Sequence, residues 1–429
     1  MFVPLENTPM RYAWGARGAI SDYLGNTGAV LEPETSGAEA PVQAELWLGA
    51  HHGSPAKITS PELVGGHTDL RQWIQAEPER ALGQFAVGLR RGEPVRLPFL
   101  LKVLAAGEPL SLQVHPDLAR ARLGFAAENE AGIPLDDPSR NYRDPFHKPE
   151  LLIALSDTMT ALAGFRSFGE VRELVADIAE LAAEAGTASR FAPFAERVAE
   201  LDSEADLREL VAFNLSKSTE AVDALPVLYQ WAEGDGRWQR ERATVRAVRR
   251  AHPGDASVLT ALLMNHVALH RGEGLYIRAG VLHAYVEGVG IEIMAASDNV
   301  LRGGLTAKHI DVDELMAALS FAPTPPPYLS AEQLNNFVTT FDPDEPDFRL
   351  QRVQGVRVDT EINVVGPSVL LNLGQAVEVT DAAGETTTLA HGQAIFATPD
   401  APPLRVIGTD VDLVVASTGV DAGESLPLD

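Results

Sequence analysis

Between Phe168 and Leu269 the chain becomes rich in Ala, Glu, Leu and Arg, and Val171, Leu174, Val175, Ile178 and Leu181 recur at helical spacing. That period and composition predict several amphipathic helices. The flanking sequence reads quite differently. Whatever the two flanks build together must close across a helical insertion.

Before the insertion, the stretches Ala44 to Leu48, Leu97 to Leu104 and Glu150 to Leu155 are short apolar runs separated by Gly and Pro, the pattern of sandwich or barrel strands. A helix is expected near Asp69 to Glu77. After the insertion, Gly274 to Gly280 is again strand-like, a helix is expected from Asp311 to Leu319, and Ala322-Pro323-Thr324-Pro325-Pro326-Pro327 is too rich in proline for either. Beyond it, Phe348 to Ser417 alternates Val/Leu/Ile runs with turns such as Asp381-Ala382-Ala383-Gly384 and Ala390-His391-Gly392-Gln393, the signature of a second all-β sandwich. The fold class predicted is mainly β with a helical insertion. Residues 1–165 with 270–321 form one unit, 166–269 the insertion, and 322–429 a linker with a C-terminal β-sandwich.

At 429 residues with 45% apolar content the chain can fill more than one core. Its formal charge of −26 argues against nucleic acid and anionic membranes as partners, and it means that an anionic substrate needs a local focus of Lys and Arg inside a cleft. The absence of cysteine excludes disulfides, thiolate zinc sites and a Cys nucleophile. With no basic leader and no apolar run of spanning length, a cytoplasmic protein is expected. Nothing in the residues points to an oligomeric state.

Three segments carry chemistry. In Ser111-Leu112-Gln113-Val114-His115-Pro116-Asp117, Gln113 and His115 share one face of an extended chain. In Phe146-His147-Lys148-Pro149-Glu150, Pro149 biases Lys148 toward extended backbone, so Lys148 and Glu150 project together. The third runs from Gly280 to Thr306: His283 and Tyr285 share a face, and Glu292 alternates with Ile291 and Ile293, so it faces away from them. Each segment alone also fits a bland reading, as a hydrogen-bonded His or a salt-bridged strand start. Together, Gln113, His115, Glu150 and His283 are O and N donors of the kind zinc accepts, with one carboxylate leaving a formal +1. His266 and His270 have helical i, i+4 spacing but lack the intervening Glu of a metalloprotease motif, and are set aside.

These blocks, with Ala295 to His309 and the stretch Ala44-Glu45-Leu46-Trp47-Leu48-Gly49-Ala50-His51, resemble the signature blocks of type I mannose-6-phosphate isomerases. The resemblance implies a cupin-type β-sandwich catalytic domain, an inserted α-helical domain and a second, cupin-like C-terminal β-sandwich. It implies one Zn2+ per chain held by Gln113, His115, Glu150 and His283, with Arg302 as the catalytic arginine and Lys148, Glu292 and Asp298 lining the site. Glu45 and Trp47 become pocket wall. The implied reaction interconverts mannose 6-phosphate and fructose 6-phosphate.

Moving a carbonyl between C1 and C2 requires a base to carry the proton and a cation to hold enediolate charge. Zinc or Arg302 can hold the charge. Glu292 is the first choice as base, with Lys148, His147 and Asp298 as alternatives. The phosphate needs donors, for which Arg302 and Lys308 are candidates together with Ser111, Lys102, Tyr285 and His147 as substrate-binding residues. A sugar-binding or regulatory cupin without catalysis would keep the ligands but lack Arg302, Glu292 or Lys148, and all three are present. A dioxygenase on the same fold would need an oxidisable metal such as iron.

Overall fold

The computed structural model describes residues 1–25, 28–31, 40–89, 95–216 and 218–419. Two ten-stranded sheets dominate it, with a block of helices between Phe168 and Leu262 inserted into the first. The hub of the first sheet is the strand His283–Ala295, hydrogen-bonded to Phe99–Ala106, Leu112–Val114, Glu150–Ala154 and Thr158–Phe165. The strand Glu45–Leu48 continues the sheet beyond Phe99–Ala106, and Leu301–Gly304 continues it beyond Leu112–Val114.

Strand alternation decides what each face does. In register, Trp47 lies opposite Lys102, Lys102 opposite Glu292, Glu292 opposite Leu152, and Glu150 opposite Met294. That face is polar. The intervening residues Leu46, Leu101, Val103, Leu151, Ile153, Ile291 and Ile293 turn the other way, into one apolar cluster with Val3, Leu350, Val369, Phe396 and Val414 of the second sheet and with Phe348 just before it. Each such side chain removed from water contributes about 1.5–3 kcal/mol. The two sheets therefore share a core on one side, and the first sheet keeps its charged residues on the other.

The helix Phe168–Glu184 opens the inserted block with a full capping box between Ser167 and Glu170, and buries Val171, Leu174, Val175 and Ile178 as the period predicts. The helical block ends earlier than its composition suggests. Helix gives way at Leu262, and Met264–His270 is a strand paired with Thr158–Phe165. His266 and His270 thus sit about 13 Å apart along a strand rather than on adjacent helical turns. Residues 322–327 hold no regular structure, and Val312–Ala318 is a helix capped by Asp311.

Several elements depart from the expected organisation of the N-terminal region, among them the short helices Ala19–Leu24, Pro78–Leu82 and Gln84–Leu89. Leu118–Glu130 is a helix, capped by the Asp117 carboxylate accepting from the Arg120 N–H, but it buries only Ala121 and so has no apolar stripe to reveal it. The strand Phe2–Glu6 pairs with Ala394–Ala397 and belongs to the second sheet. Among the described residues, no helix is long and apolar enough to cross a membrane.

Candidate metal centre and active site

His283 lies directly opposite Gln113, and Gln113 directly opposite Arg302, on three neighbouring strands. Directly opposed residues share a face. His115, two residues beyond Gln113, shares it too. The strand Glu150–Ala154 approaches from the other side of the hub strand and brings Glu150 between the two imidazoles. His115 Nε2 is 3.1 Å from Glu150 Oε1, and His283 Nε2 is 3.3 Å from Glu150 Oε2.

All three side chains are buried. His115 Nδ1 is 2.8 Å from the Asn299 carbonyl and His283 Nδ1 is 3.0 Å from the Val281 carbonyl, contacts that place the ring proton on Nδ1 in both. Each Nε2 is then a lone pair turned toward a carboxylate, and neither makes a hydrogen bond. Unpaired buried acceptors facing one another are costly without a cation between them. The donor set of two imidazoles and a carboxylate, with backbone carbonyls fixing both rings, fits a zinc-type ion. Burial pushes the His115 imidazole down to about 4 despite the nearby Glu150 charge, which keeps it in the ligating form. Burial alone would raise the Glu150 carboxyl, but His115 and Lys148 outweigh it and hold that group well below the usual range.

Above the cluster opens a cleft of about 670 Å³. Gln113, Lys148, Glu150, Tyr285 and Glu292 line its inner part, with Lys102, Glu45 and Trp47 along one wall. Lys148 Nζ is 3.2 Å from Glu150 Oε1, and the Tyr285 hydroxyl donates to Glu150 Oε2 at 3.4 Å. Lys102 Nζ is 2.9 Å from Glu292 Oε2 and 3.4 Å from Glu45 Oε1. The first contact is a buried ion pair that engages Glu292 Oε2. Burial works against charge on Lys102, but Glu292, Glu45 and Glu150 outweigh it and raise its pKa. Burial also raises the Glu292 carboxyl, with Lys102 partly offsetting it and Glu150 and Glu45 adding to it.

At the outer end, Ser111, Arg143, Arg302, Thr306 and Lys308 line the cleft. Burial and the charge of Arg143 lower the pKa of Arg302, and burial with Arg302 and Arg143 lowers that of Lys308. These are cations repelling one another. Among the described residues, none of the three is ion-paired to a carboxylate, in a chain where acids outnumber bases 60 to 34. Asp298 also lines the cleft, 3.3 Å from both His51 Nε2 and His52 Nε2.

Two sequence-level assignments change. His147 does not line the cleft: alternation turns it away from Lys148, and its Nε2 is 2.7 Å from Asp347 Oδ2. Lys102 is not a spare phosphate donor, because its ammonium is buried between two carboxylates. Arg143 has no counterpart in the sequence reading. The buried side chain of Asn299 accepts its backbone N–H at 2.8 Å, and the Glu128 carboxylate accepts those of Asn141 and Tyr142 at 2.9 and 2.8 Å, which fixes the loop that delivers it.

A buried His–Glu–His centre beneath a cleft with a cationic outer end is the arrangement expected of a metalloenzyme with room for an anionic small molecule. Residues 2–168 match the family model for the phosphomannose isomerase type I catalytic domain. Mannose-6-phosphate isomerase of Salmonella typhimurium is 35% identical over 412 residues, covering 94% of this chain and 97% of that protein. The human protein of that name is 30% identical over 410 residues, covering 92% of each. An alanine variant of phosphomannose isomerase from Salmonella typhimurium superposes with a TM-score of 0.82 at 32% identity, covering 98% of this chain and 100% of that one. So does a mannose 6-phosphate isomerase bound with zinc and yttrium, with the same score, identity and coverage. The chain belongs to the type I mannose-6-phosphate isomerase family.

Proposed function

We propose that the chain interconverts mannose 6-phosphate and fructose 6-phosphate, with His115, Glu150, His283 and Gln113 holding one zinc ion. The observation that carries this is the pair of buried, unpaired Nε2 lone pairs of His115 and His283 aimed at the two oxygens of Glu150. Zinc at such a site supplies Lewis acidity toward a sugar oxygen. The remaining chemistry belongs to the protein's own side chains.

Glu292 is the proton carrier in this reading. Its place in the cleft lining and its raised pKa suit a group that must both take and return a proton, and Lys102 beside it holds the charged form in place. The proton leaves C2, its electron pair enters the C1–C2 bond, and negative charge collects on O1. Return of the proton to C1, with a hydroxyl proton passing from O2 to O1, yields the ketose. Lys148, next to Glu150, stabilises the developing charge. Asp298 and Tyr285 line the same cavity and orient sugar hydroxyls. Arg302 sits one strand from Gln113 and faces both the sugar and the outer cleft. With Lys308, Arg143 and Ser111 it forms the phosphate end, where the local field opposes the acidic surface.

For the chain as a whole we infer a cupin-type catalytic unit from residues 1–165 and 270–321, the helical insertion 166–269, and a C-terminal sandwich within 322–429. The unbroken run of helices from Phe168 to Leu262 supports that division, with Met264–His270 returned to the first sheet and Phe2–Glu6 exchanged into the second. The test is turnover of mannose 6-phosphate by purified protein before chelation, after it, and after zinc is restored. Turnover lost and regained supports the reading. Full turnover without metal, or none with it, sinks it.

A further inference from the structure

The turn between the strands Val338–Phe341 and Arg349–Ile362 of the second sheet carries two carboxylates that reach the first sheet directly behind the metal centre. Asp347, buried, places Oδ2 2.7 Å from His147 Nε2 and Oδ1 3.4 Å from Arg96 Nη2. Arg96 in turn stacks on the neighbouring Phe146 ring at 3.7 Å. Glu345 accepts a short hydrogen bond from the Tyr276 hydroxyl.

Both targets adjoin cleft residues. His147 precedes Lys148, and only Pro149 separates Lys148 from Glu150. Tyr276 precedes Ile277, the register partner of Glu150. Because alternate residues point to opposite sides, gripping His147 from behind fixes the backbone that presents Lys148 forward. The two sheets are already joined by a continuous apolar core, so adhesion does not require these charges. Burying an ion pair there costs desolvation that a hydrophobic pair would avoid. Orientation is what a directional carboxylate–imidazole contact adds.

We propose that Asp347, assisted by Glu345, is a positioning residue of the active site, acting through His147 and Tyr276 on Lys148 and Glu150. The second sheet is on this account a working part of the catalytic centre. The proposal rests on the roles given above to Lys148 and Glu150.

The test compares Asp347→Asn, His147→Asn, Glu345→Gln and the Asp347→Asn/His147→Asn double variant with the parent protein, by kcat and KM for mannose 6-phosphate and by zinc affinity in competition with a chelator. The expected result is a loss of about two- to thirty-fold in kcat or zinc affinity for either single change at the Asp347–His147 pair, the range for residues coupled to a site through their neighbours. KM is expected to stay within about two-fold, and the double variant to be no worse than the poorer single one, since both remove the same contact. Glu345→Gln should move in the same direction. Unchanged kcat and zinc affinity with only a lower melting temperature, or additive losses in the double variant, would overturn the proposal. If Asp347→Asn does not fold, His147→Asn and Glu345→Gln decide by the same criteria. If the parent protein does not turn over the sugar phosphate, the activity reading fails, and zinc affinity alone decides the positioning role.

Discussion

Lys102 and Glu292 face each other across adjacent antiparallel strands, Nζ 2.9 Å from Oε2, both almost fully buried. The pair is poised rather than closed, because burial and two neighbouring carboxylates raise Glu292 while Lys102 pulls it down. If Glu292 carries the proton, as proposed, Glu292→Gln should lower kcat by about 10²–10⁴-fold, the usual worth of a general base, with zinc still bound. Lys102→Met removes the influence that lowers Glu292. The carboxyl pKa then rises, a higher pH is needed to ionise it, and the acid limb of the kcat–pH profile should move to higher pH. An unmoved limb would show that Glu292 is not the titrating base.

On the proposed ligand set, zinc should also stabilise the fold. Without a cation, the His115 and His283 lone pairs face Glu150 unpaired. An ion bound only by the folded state adds about 4 kcal/mol at a thousandfold excess over its dissociation constant. Chelation should therefore lower the melting temperature as well as abolish turnover, and zinc should restore both. Glu150→Gln should lose the zinc-dependent part of the melting temperature, and a full zinc response in that variant would remove Glu150 from the ligand set.

Arg143, Arg302 and Lys308 repel one another and have no carboxylate partner among the described residues. A dianion relieves that repulsion. Arg143→Ala, at an exposed side chain, should raise KM for mannose 6-phosphate by about ten-fold, on the order of one charge-assisted hydrogen bond. It should leave kcat nearly unchanged and weaken inhibition by inorganic phosphate. An unchanged KM would place the phosphate elsewhere.

Which features the sequence displays follows from how local their causes are. The helical insertion is legible because the 3.6-residue period of Val171 to Leu181 is a property of contiguous residues, and the turning of Glu292 toward the cleft follows from its two isoleucine neighbours. Pro149 likewise makes Lys148 and Glu150 readable as a pair. Arg143 is not legible: its place depends on the side chain of Asn299, 156 residues away, holding its backbone N–H. His147 misleads for a related reason, since the Asp347 carboxylate that claims it is 200 residues distant. The helix Leu118–Glu130 hides because only Ala121 is buried. At Met264–His270 the strand pairing with Thr158–Phe165 overrides a helix-like composition.

The shared core makes a prediction about cooperativity. Ile293 sits in the hub strand with its side chain turned from the cleft, fully buried among residues of both sheets. Ile293→Ala should cost about 2–5 kcal/mol, the range for truncating a buried aliphatic side chain. Were the sheets independent, that loss would shift only the unfolding of the first and split the transition. Because Leu151, Ile291 and Ile293 pack with Phe348, Val369 and Phe396 in one cluster, weakening either side removes contacts from the other. Denaturation of the variant, followed by tryptophan fluorescence and by far-ultraviolet circular dichroism, should give one coincident transition displaced to lower denaturant. Two separated transitions would show that the sheets unfold independently, and would take away the rigid contact through which Asp347 is argued to act.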